Sequence, residues 1–372
     1  MTKLEQLIEQ FCPDGVAFSR VEKICSITRG RVMSKDYINE NVGEYPVYSS
    51  QTENNGELGR ILTFDFDGDY LTWTTDGANA GTVFYRSGKF SITNVCGLLK
   101  VNVCSVIPKY LYYYLYQNAP NHVNKGMGNP KLMSNVMARI KVPIPPLEVQ
   151  AEIVKILDNF TELTAELTAE LTARKKQYEY YRNFLLTFDL GVNTVPLAEI
   201  AEISTGSSNT NEGLEEGLYP FYVRSQEPLR KNEYEFDETA IITAGDGVGV
   251  GKVFHYAEGK YALHQRAYRI HITNPDVLPR YFFHYMRNAF LPYIQKTMFH
   301  GSVASIRRPM LNQFPVPIPS IEVQKRIVNV LDNFEAICSD LNIGLPAEIE
   351  ARQKQYEYYR DKLLSFKEKK NC

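Results

Sequence analysis

Basic residues do not outnumber acidic ones in this chain. Across 372 residues, 41 Lys and Arg stand against 43 Asp and Glu, a net charge of −2 with the histidines neutral. That balance excludes a strongly basic nucleic-acid binder, but not a locally basic face on a mixed surface. The six cysteines (Cys12, Cys25, Cys96, Cys104, Cys338, Cys372) form no CxxC pair, and most have apolar neighbours. They read as reduced core thiols of a cytoplasmic protein rather than a disulfide framework. No apolar run approaches the ~20 residues that span a bilayer. The opening MTKLEQLIEQF alternates charged and apolar residues helically and has no secretory apolar region.

Signatures of catalysis are missing as well. The six histidines (His122, His255, His264, His271, His284, His300) show no HxxxH or HExxH spacing, so no metal site is expected. The string ITAGDGVGVGKVF at 242–254 suggests a P-loop, but Asp246 stands where the first glycine belongs and Val253 where a hydroxyl must reach Mg²⁺. A glycine-rich turn between strands is the better reading. No GxSxG, Cys–His, paired-carboxylate or NPPY-like string occurs. No catalytic residue is predicted. An enzyme with a cryptic site is the competing class, and it would reveal itself by a metal or cofactor retained on purification.

What is present is repetition. KQYEYYR occurs at 176–182 and again at 354–360, and VPIPPLEVQAEIVKILDNF at 142–160 is answered by VPIPSIEVQKRIVNVLDNF at 316–334. Weaker pairs precede them, including VEKICSITRG with LAEIAEISTG and DGANAGTVF with DGVGVGKVF. The chain is two copies of one unit, each diverged in its first part and nearly unchanged in its last. The variable parts carry short Val-, Ile-, Tyr- and Thr-rich runs punctuated by Gly, Asn and Asp, which predict strands. Helices are predicted near 109–118 and 280–289. The unchanged parts place apolar residues three and four apart from Val149 to Phe188 and from Val323 to Phe366, the seam of long coiled-coil helices. Gly344 and Pro346 predict a kink or break in the second. The predicted class is α+β: two mixed α/β units joined by two long antiparallel coiled-coil helices, with a pseudo-two-fold internal repeat.

The loops of both copies are rich in Arg, Lys, Ser, Asn and Gln, the residue types that contact nucleic acid. With these features the chain resembles a known family, the specificity subunits of Type I restriction–modification systems. The duplicated Pro-rich helix lead-ins, the two KQYEYYR helix ends, the glycine-punctuated units and HGSVASIRR at 300–308 carry the resemblance, which covers nearly the whole chain. It implies a first target-recognition domain with a short N-terminal helix at 1–142 and a first spacer helix at 143–189. A second recognition domain at 190–316 and a second spacer helix at 317–368 come after these. Each domain is expected to read one half of a split double-stranded DNA target. Two methyltransferase subunits using S-adenosylmethionine, and restriction subunits using ATP and Mg, are the implied partners; the chain itself is expected to hold no cofactor. A stand-alone bipartite DNA-binding protein is the alternative.

Expected DNA contacts in the first copy are Arg29, Arg31, Lys35, Ser49, Gln51, Asn54, Thr75, Asn79, Lys125 and Lys131. In the second they are Ser207, Arg224, Gln226, Lys252, Gln265, Ser302, Arg307 and Arg308. Tyr180 and Tyr358, off the seam, are expected to dock partners. The tandem ELTAELTAELTA at 162–173 reads as a length unit, because the offset between copies grows from 174 before it to 178 after it.

Overall fold

The computed structural model describes residues 2–126, 128–189, 191–297 and 305–369. The chain divides into two compact units, Met1–Ala165 with Ala351–Cys372, and Glu166–Glu350. Each holds two four-stranded sheets of the same topology. In the first unit one sheet runs Cys25–Arg29, Cys96–Val101, Tyr70–Thr74, Val83–Arg86, all antiparallel. The other runs Glu57–Ile61, Val42–Tyr48, Lys89–Ile92, Phe66–Asp67, with its middle pair parallel. In the second unit Ala201–Thr205, Ala267–Ile272, Ala240–Ala244 and Phe254–Ala257 repeat the first sheet. Leu229–Lys231, Tyr219–Tyr222, Lys260–Leu263 and Phe236–Asp237 repeat the second. Register is kept too: Leu71 faces Leu99 as Ile241 faces Ile270. Tyr70–Thr74 and Ala240–Ala244 are buried at every residue, so both faces are covered and neither shows a polar alternation.

A helix packs on each first sheet: Pro108–Asn118 in the first unit and Pro279–Thr297 in the second. Both open on proline, whose missing N–H costs nothing in a first turn. The second outruns the expected 280–289 and passes Pro292, because Phe290 and Ile294 extend its apolar face against Leu311 and Phe314.

The unchanged segments owe their sameness to hydrogen bonds that recur in both units. The lead-in strand Lys141–Ile144 pairs with Ala17–Arg20, and Pro315–Pro317 pairs with Thr194–Pro196. Gln150, fully buried, accepts from the Ile107 N–H at 2.8 Å and donates to the Ser105 and Pro145 carbonyls at 2.8 and 2.7 Å. Gln324 does the same with Leu278, Asp276 and Pro319 at 2.8, 2.7 and 2.8 Å. Tyr110 and Tyr281 donate to the Pro143 and Pro317 carbonyls at 3.0 and 2.9 Å. These backbone groups lie where a lone helix or strand leaves them unpaired, so the glutamine side chain completes them.

The first long helix, Leu147–Leu185, is continuous over 39 residues and contributes to both units. The second is interrupted as Gly344 and Pro346 predict, into Ile321–Ser339 and Leu345–Leu363. Asp340 caps the interruption, its carboxylate accepting from the Asn342 and Ile343 N–H groups at 2.7 and 3.1 Å. A side chain at Gly344 would meet the Ala336 carbonyl at 2.5 Å. The four extra residues of the second copy therefore coincide with a non-helical turn, not with added helix.

In the first unit, KQYEYYR packs Tyr356 and Tyr359 on Phe160, with centroids 6.5 and 5.6 Å apart. In the second, Tyr178 and Tyr181 pack on Phe334 at 6.4 and 5.6 Å. Beyond Leu363 the chain reaches Val16 and Lys141, so this tail runs antiparallel to the start of the first long helix.

Candidate nucleic-acid interface

In the first unit most of the expected contact residues gather at the strand ends. Thr75 follows Tyr70–Thr74; its hydroxyl donates to the Val95 carbonyl at 2.7 Å, and its own carbonyl accepts from the Leu132 N–H at 2.9 Å. Asn79 donates to the Thr52 hydroxyl at 2.9 Å. Ser49 accepts from the Thr93 hydroxyl at 3.0 Å, and Gln51 donates to the Glu57 carbonyl at 2.5 Å. Lys131 exchanges backbone hydrogen bonds with Asn124 at 3.0 and 2.9 Å and bridges Asp76. Arg29 reaches the Ser134 hydroxyl at 3.3 Å and the Asn94 carbonyl at 3.5 Å. The stretches 49–55, 75–79, 93–95 and 124–134 thus form one rim with Arg29 beside it.

Two residues sit apart from that rim. Arg31 adjoins Thr93 through its backbone, but its side chain pairs with Asp65 at 3.1 Å and lies over Tyr37. Lys35 opens the helix Lys35–Glu40. Thr75 is buried and Gln51 half-buried, so both shape the rim more than they present side chains from it. Asn54 and its neighbour Asn55 hold φ of 48° and 53°, a left-handed conformation that asparagine tolerates better than most residues. Lys125 and Lys131 are exposed and have no ion-pair partner among the described residues.

The second unit assembles the same rim from other residues. Ser207 is tied by its N–H to the Glu235 carboxylate at 2.9 Å. Gln265 donates to the Asn209 side chain. Arg224 pairs with Asp246 at 2.5 Å, and Arg266 reaches the same carboxylate at 3.2 Å. Burial raises the Asp246 carboxyl, but the two guanidiniums outweigh it and hold the group below its usual range. Gln226, Lys252, Arg307 and Arg308 are exposed, and the three cations have no ion-pair partner among the described residues. Ser302 lies outside the described residues.

Sequence reasoning missed two features here. Asp246 bridges Ser305 as Asp76 bridges Lys131, so one aspartate in each copy ties the glycine turn to the following loop. The signal was the Asp-Gly shared by DGANAG and DGVGVG. In those turns Gly77 and Gly247 hold φ of 94° and 81°, which a side chain resists. The second is Val248, which projects 96% exposed from its turn where the first copy has Ala78. Exposed valine beside basic side chains suits apolar contact with a thymine methyl.

One cluster among the described residues brings three metal-ligand types together: His284, Asp332 and Glu335. Arg280 pairs with both carboxylates at 2.9 and 3.4 Å, and Arg287 with Glu335 at 2.5 Å. The first unit fills the equivalent place with Lys109 and Tyr113 on Asp158, at 2.8 and 2.5 Å. The cluster is a helix-to-helix ion pair in both units. Among the described residues no helix is long and apolar enough to cross a membrane.

Two equivalent rims on two equivalent frames match what similar chains contain. The profile of the Type I restriction modification DNA specificity domain fits residues 13–174 and again 190–351. This chain belongs to that family. A type I specificity subunit of Mycoplasma pneumoniae is 34% identical over 367 residues, covering 93% of this chain and 97% of its own. The MpnII specificity subunit of the same organism is 49% identical over 173 residues, 45% of this chain and 52% of its own. Among solved structures, the S subunit from M. genitalium superposes with a TM-score of 0.60 at 16% identity, covering 94% and 95% of the two chains. The S subunit from Thermoanaerobacter tengcongensis gives 0.51 at 14% identity, covering 95% and 97%. The chain is therefore a non-catalytic DNA-specificity subunit of a Type I restriction–modification system, with two recognition domains. Its partners are DNA and the methyltransferase and restriction subunits of that system.

Proposed function

We propose that each unit reads one half of a split DNA target through its own rim. The domains divide at 1–142 and 190–316, with spacer helices at 143–189 and 317–368. The observation that carries this reading is one hydrogen-bonded frame, built twice, bearing two differently equipped rims. A frame repeated to the level of Gln150 and Gln324 constrains the support, while the loops it carries are free to differ.

Phosphate contacts fall to the unpaired cations Lys35, Lys125, Lys131, Lys252, Arg307 and Arg308, with Arg29, Arg31 and Arg224 beside them. Base-edge contacts fall to Ser49, Gln51, Asn54, Asn79, Ser207, Gln226, Gln265, Ser302 and Val248, with Thr75 shaping the loop. Two methyltransferase subunits, carrying S-adenosylmethionine, dock on the long helices. Tyr180 and Tyr358, each 64% exposed on identical heptapeptides, support that placement. Restriction subunits bring ATP and Mg, and the assembly works in the cytoplasm.

The decisive experiment exchanges residues 20–140 for the matching segment of another specificity subunit and maps adenine methylation genome-wide. One half of the target should change and the other stay. If both halves change, the units do not read independently.

A further inference from the structure

The first unit has one helix that the second has no counterpart for among the described residues. Lys3–Phe11 is amphipathic and begins with a capping box from Thr2 and Glu5. It lays Leu4, Leu7 and Ile8 against Val149, Ile153 and Leu157 of the first long helix and Leu364 of the tail. Lys3 pairs with Glu152 at 2.5 Å. Under this cover Val149 is 0% exposed.

The second unit repeats the underlying surface without the cover. Its groove, about 800 Å³, lies between the end of Leu147–Leu185 and the helix Ile321–Ser339, lined by Tyr180, Phe184, Val323, Arg326, Ile327 and Val330. Val323, the counterpart of Val149, is 40% exposed, and Phe184 and Val330 stand open beside it. An apolar trough of this kind on a helix pair is a seat for a third helix. The first unit is a direct template for how such a helix lies.

The charges of the groove are reversed. Where the first unit has Glu152, the second has Arg326, exposed and without an ion-pair partner among the described residues. Where the tail has Lys367, the end of the first long helix has Asp189, which lines the groove. The chain's own N-terminal helix, placed here from a second copy, would set Lys3 against Arg326. We propose that this groove of the second unit is the docking site for an amphipathic helix of a partner protein. That helix is about two and a half turns long and carries a carboxylate in its first turn, opposite Arg326. The inference deepens the reading of this chain as an assembly subunit and rests on it only for the existence of a partner.

The test uses the full chain and a helix-constrained, fluorescein-labelled peptide of residues 2–11, stapled between the exposed positions 6 and 10. A second peptide carries Lys3→Glu. By fluorescence anisotropy at low salt, the Lys3→Glu peptide should bind the unaltered chain about three- to tenfold more tightly than the parent, the swing expected for exchanging an exposed repulsion for an attraction. Arg326→Glu in the chain should invert that order. Val330→Lys, at an exposed position, should abolish binding of both while circular dichroism and the melting curve stay unchanged. Absence of binding by either peptide overturns the proposal, as does a preference that Arg326→Glu leaves unaltered. Tighter binding of the parent peptide would assign the groove to a second copy of this chain and equally overturn the partner reading. Methylation mapping of the segment exchange tests the assembly reading separately.

Discussion

The two units hold the same strands in the same register and fill them differently. In the first, Phe66, Tyr70 and Phe90 pack with centroids 5.5–5.6 Å apart against Leu98. In the second, Arg269 takes the register position of Leu98, opposite Ile242 where Leu98 faces Thr72. Its guanidinium pairs with Glu238, which also accepts from the Tyr261 hydroxyl at 2.9 Å, and lies over Phe236 at 4.9 Å. Meanwhile the helix-side bonds of Gln150 and Gln324 match to a tenth of an ångström. The difference teaches where this fold is strict. Backbone groups that no strand or helix can satisfy admit one solution, so the glutamine recurs. Side-chain volume between sheets admits several, aromatic or ionic, so that layer and the loops on it diverge.

Changing the stretch that links the copies, rather than either copy, should have the largest effect on function. Adding one LTAE within 162–173, inside a continuous helix, lengthens it by ~6 Å and turns the residues beyond the insertion by ~40°. Methylation mapping should show the original target lost, both half-sites retained, and the spacer altered by about one or two base pairs. A changed half-site would break the idea that this segment is only a ruler.

Within the units, Arg269→Met should destabilise the second by about 3–5 kcal/mol, because it leaves a largely buried carboxylate without its cation. The matching Leu98→Met should cost less than about 1.5 kcal/mol. Acid sharpens the contrast. Burial raises the Glu238 carboxyl, but Arg269 and Tyr261 outweigh it, so its folded value lies below the ordinary one. A depressed folded value means the stabilisation is full above the unfolded value and is lost as pH falls through the folded one. The stability deficit of Glu238→Gln, read from urea melts, should therefore be greatest near neutrality and shrink below about pH 4. A deficit that stays constant down to about pH 2 would show the pair to be unimportant.

Gln150→Ala and Gln324→Ala should each cost about 2–4 kcal/mol, since each orphans buried backbone groups. Hydrogen exchange should show the two losses to be equal and confined to the altered unit. A twofold inequality would mean that the frame is not equally strict in both copies.

The smallest effects belong to the rims. Lys125→Ala and Lys252→Ala should each lower the salt dependence of DNA binding by about one unit of slope. Arg31→Ala should change it less, because its charge is already spent on Asp65 at 3.1 Å.

Much of this was legible in the chain alone. Repetition announced two copies, apolar spacing announced the long helices, and Gly344 with Pro346 announced the interruption, since backbone geometry and period are local properties. The glycine turns were legible as turns for the same reason. The partners of individual side chains were not. Arg29 and Arg31 look alike in sequence, yet one leans on Ser134 and the other is neutralised by Asp65. Thr75 reads as a polar loop residue but is buried under Val95. The bareness of Val323 against the burial of Val149 likewise depends on a helix some 140 residues away from the latter in the chain. Periodicity and turn chemistry are written in near neighbours. Burial and charge pairing depend on residues that meet only once the chain has folded, and those meetings separate two nearly identical frames into two different surfaces.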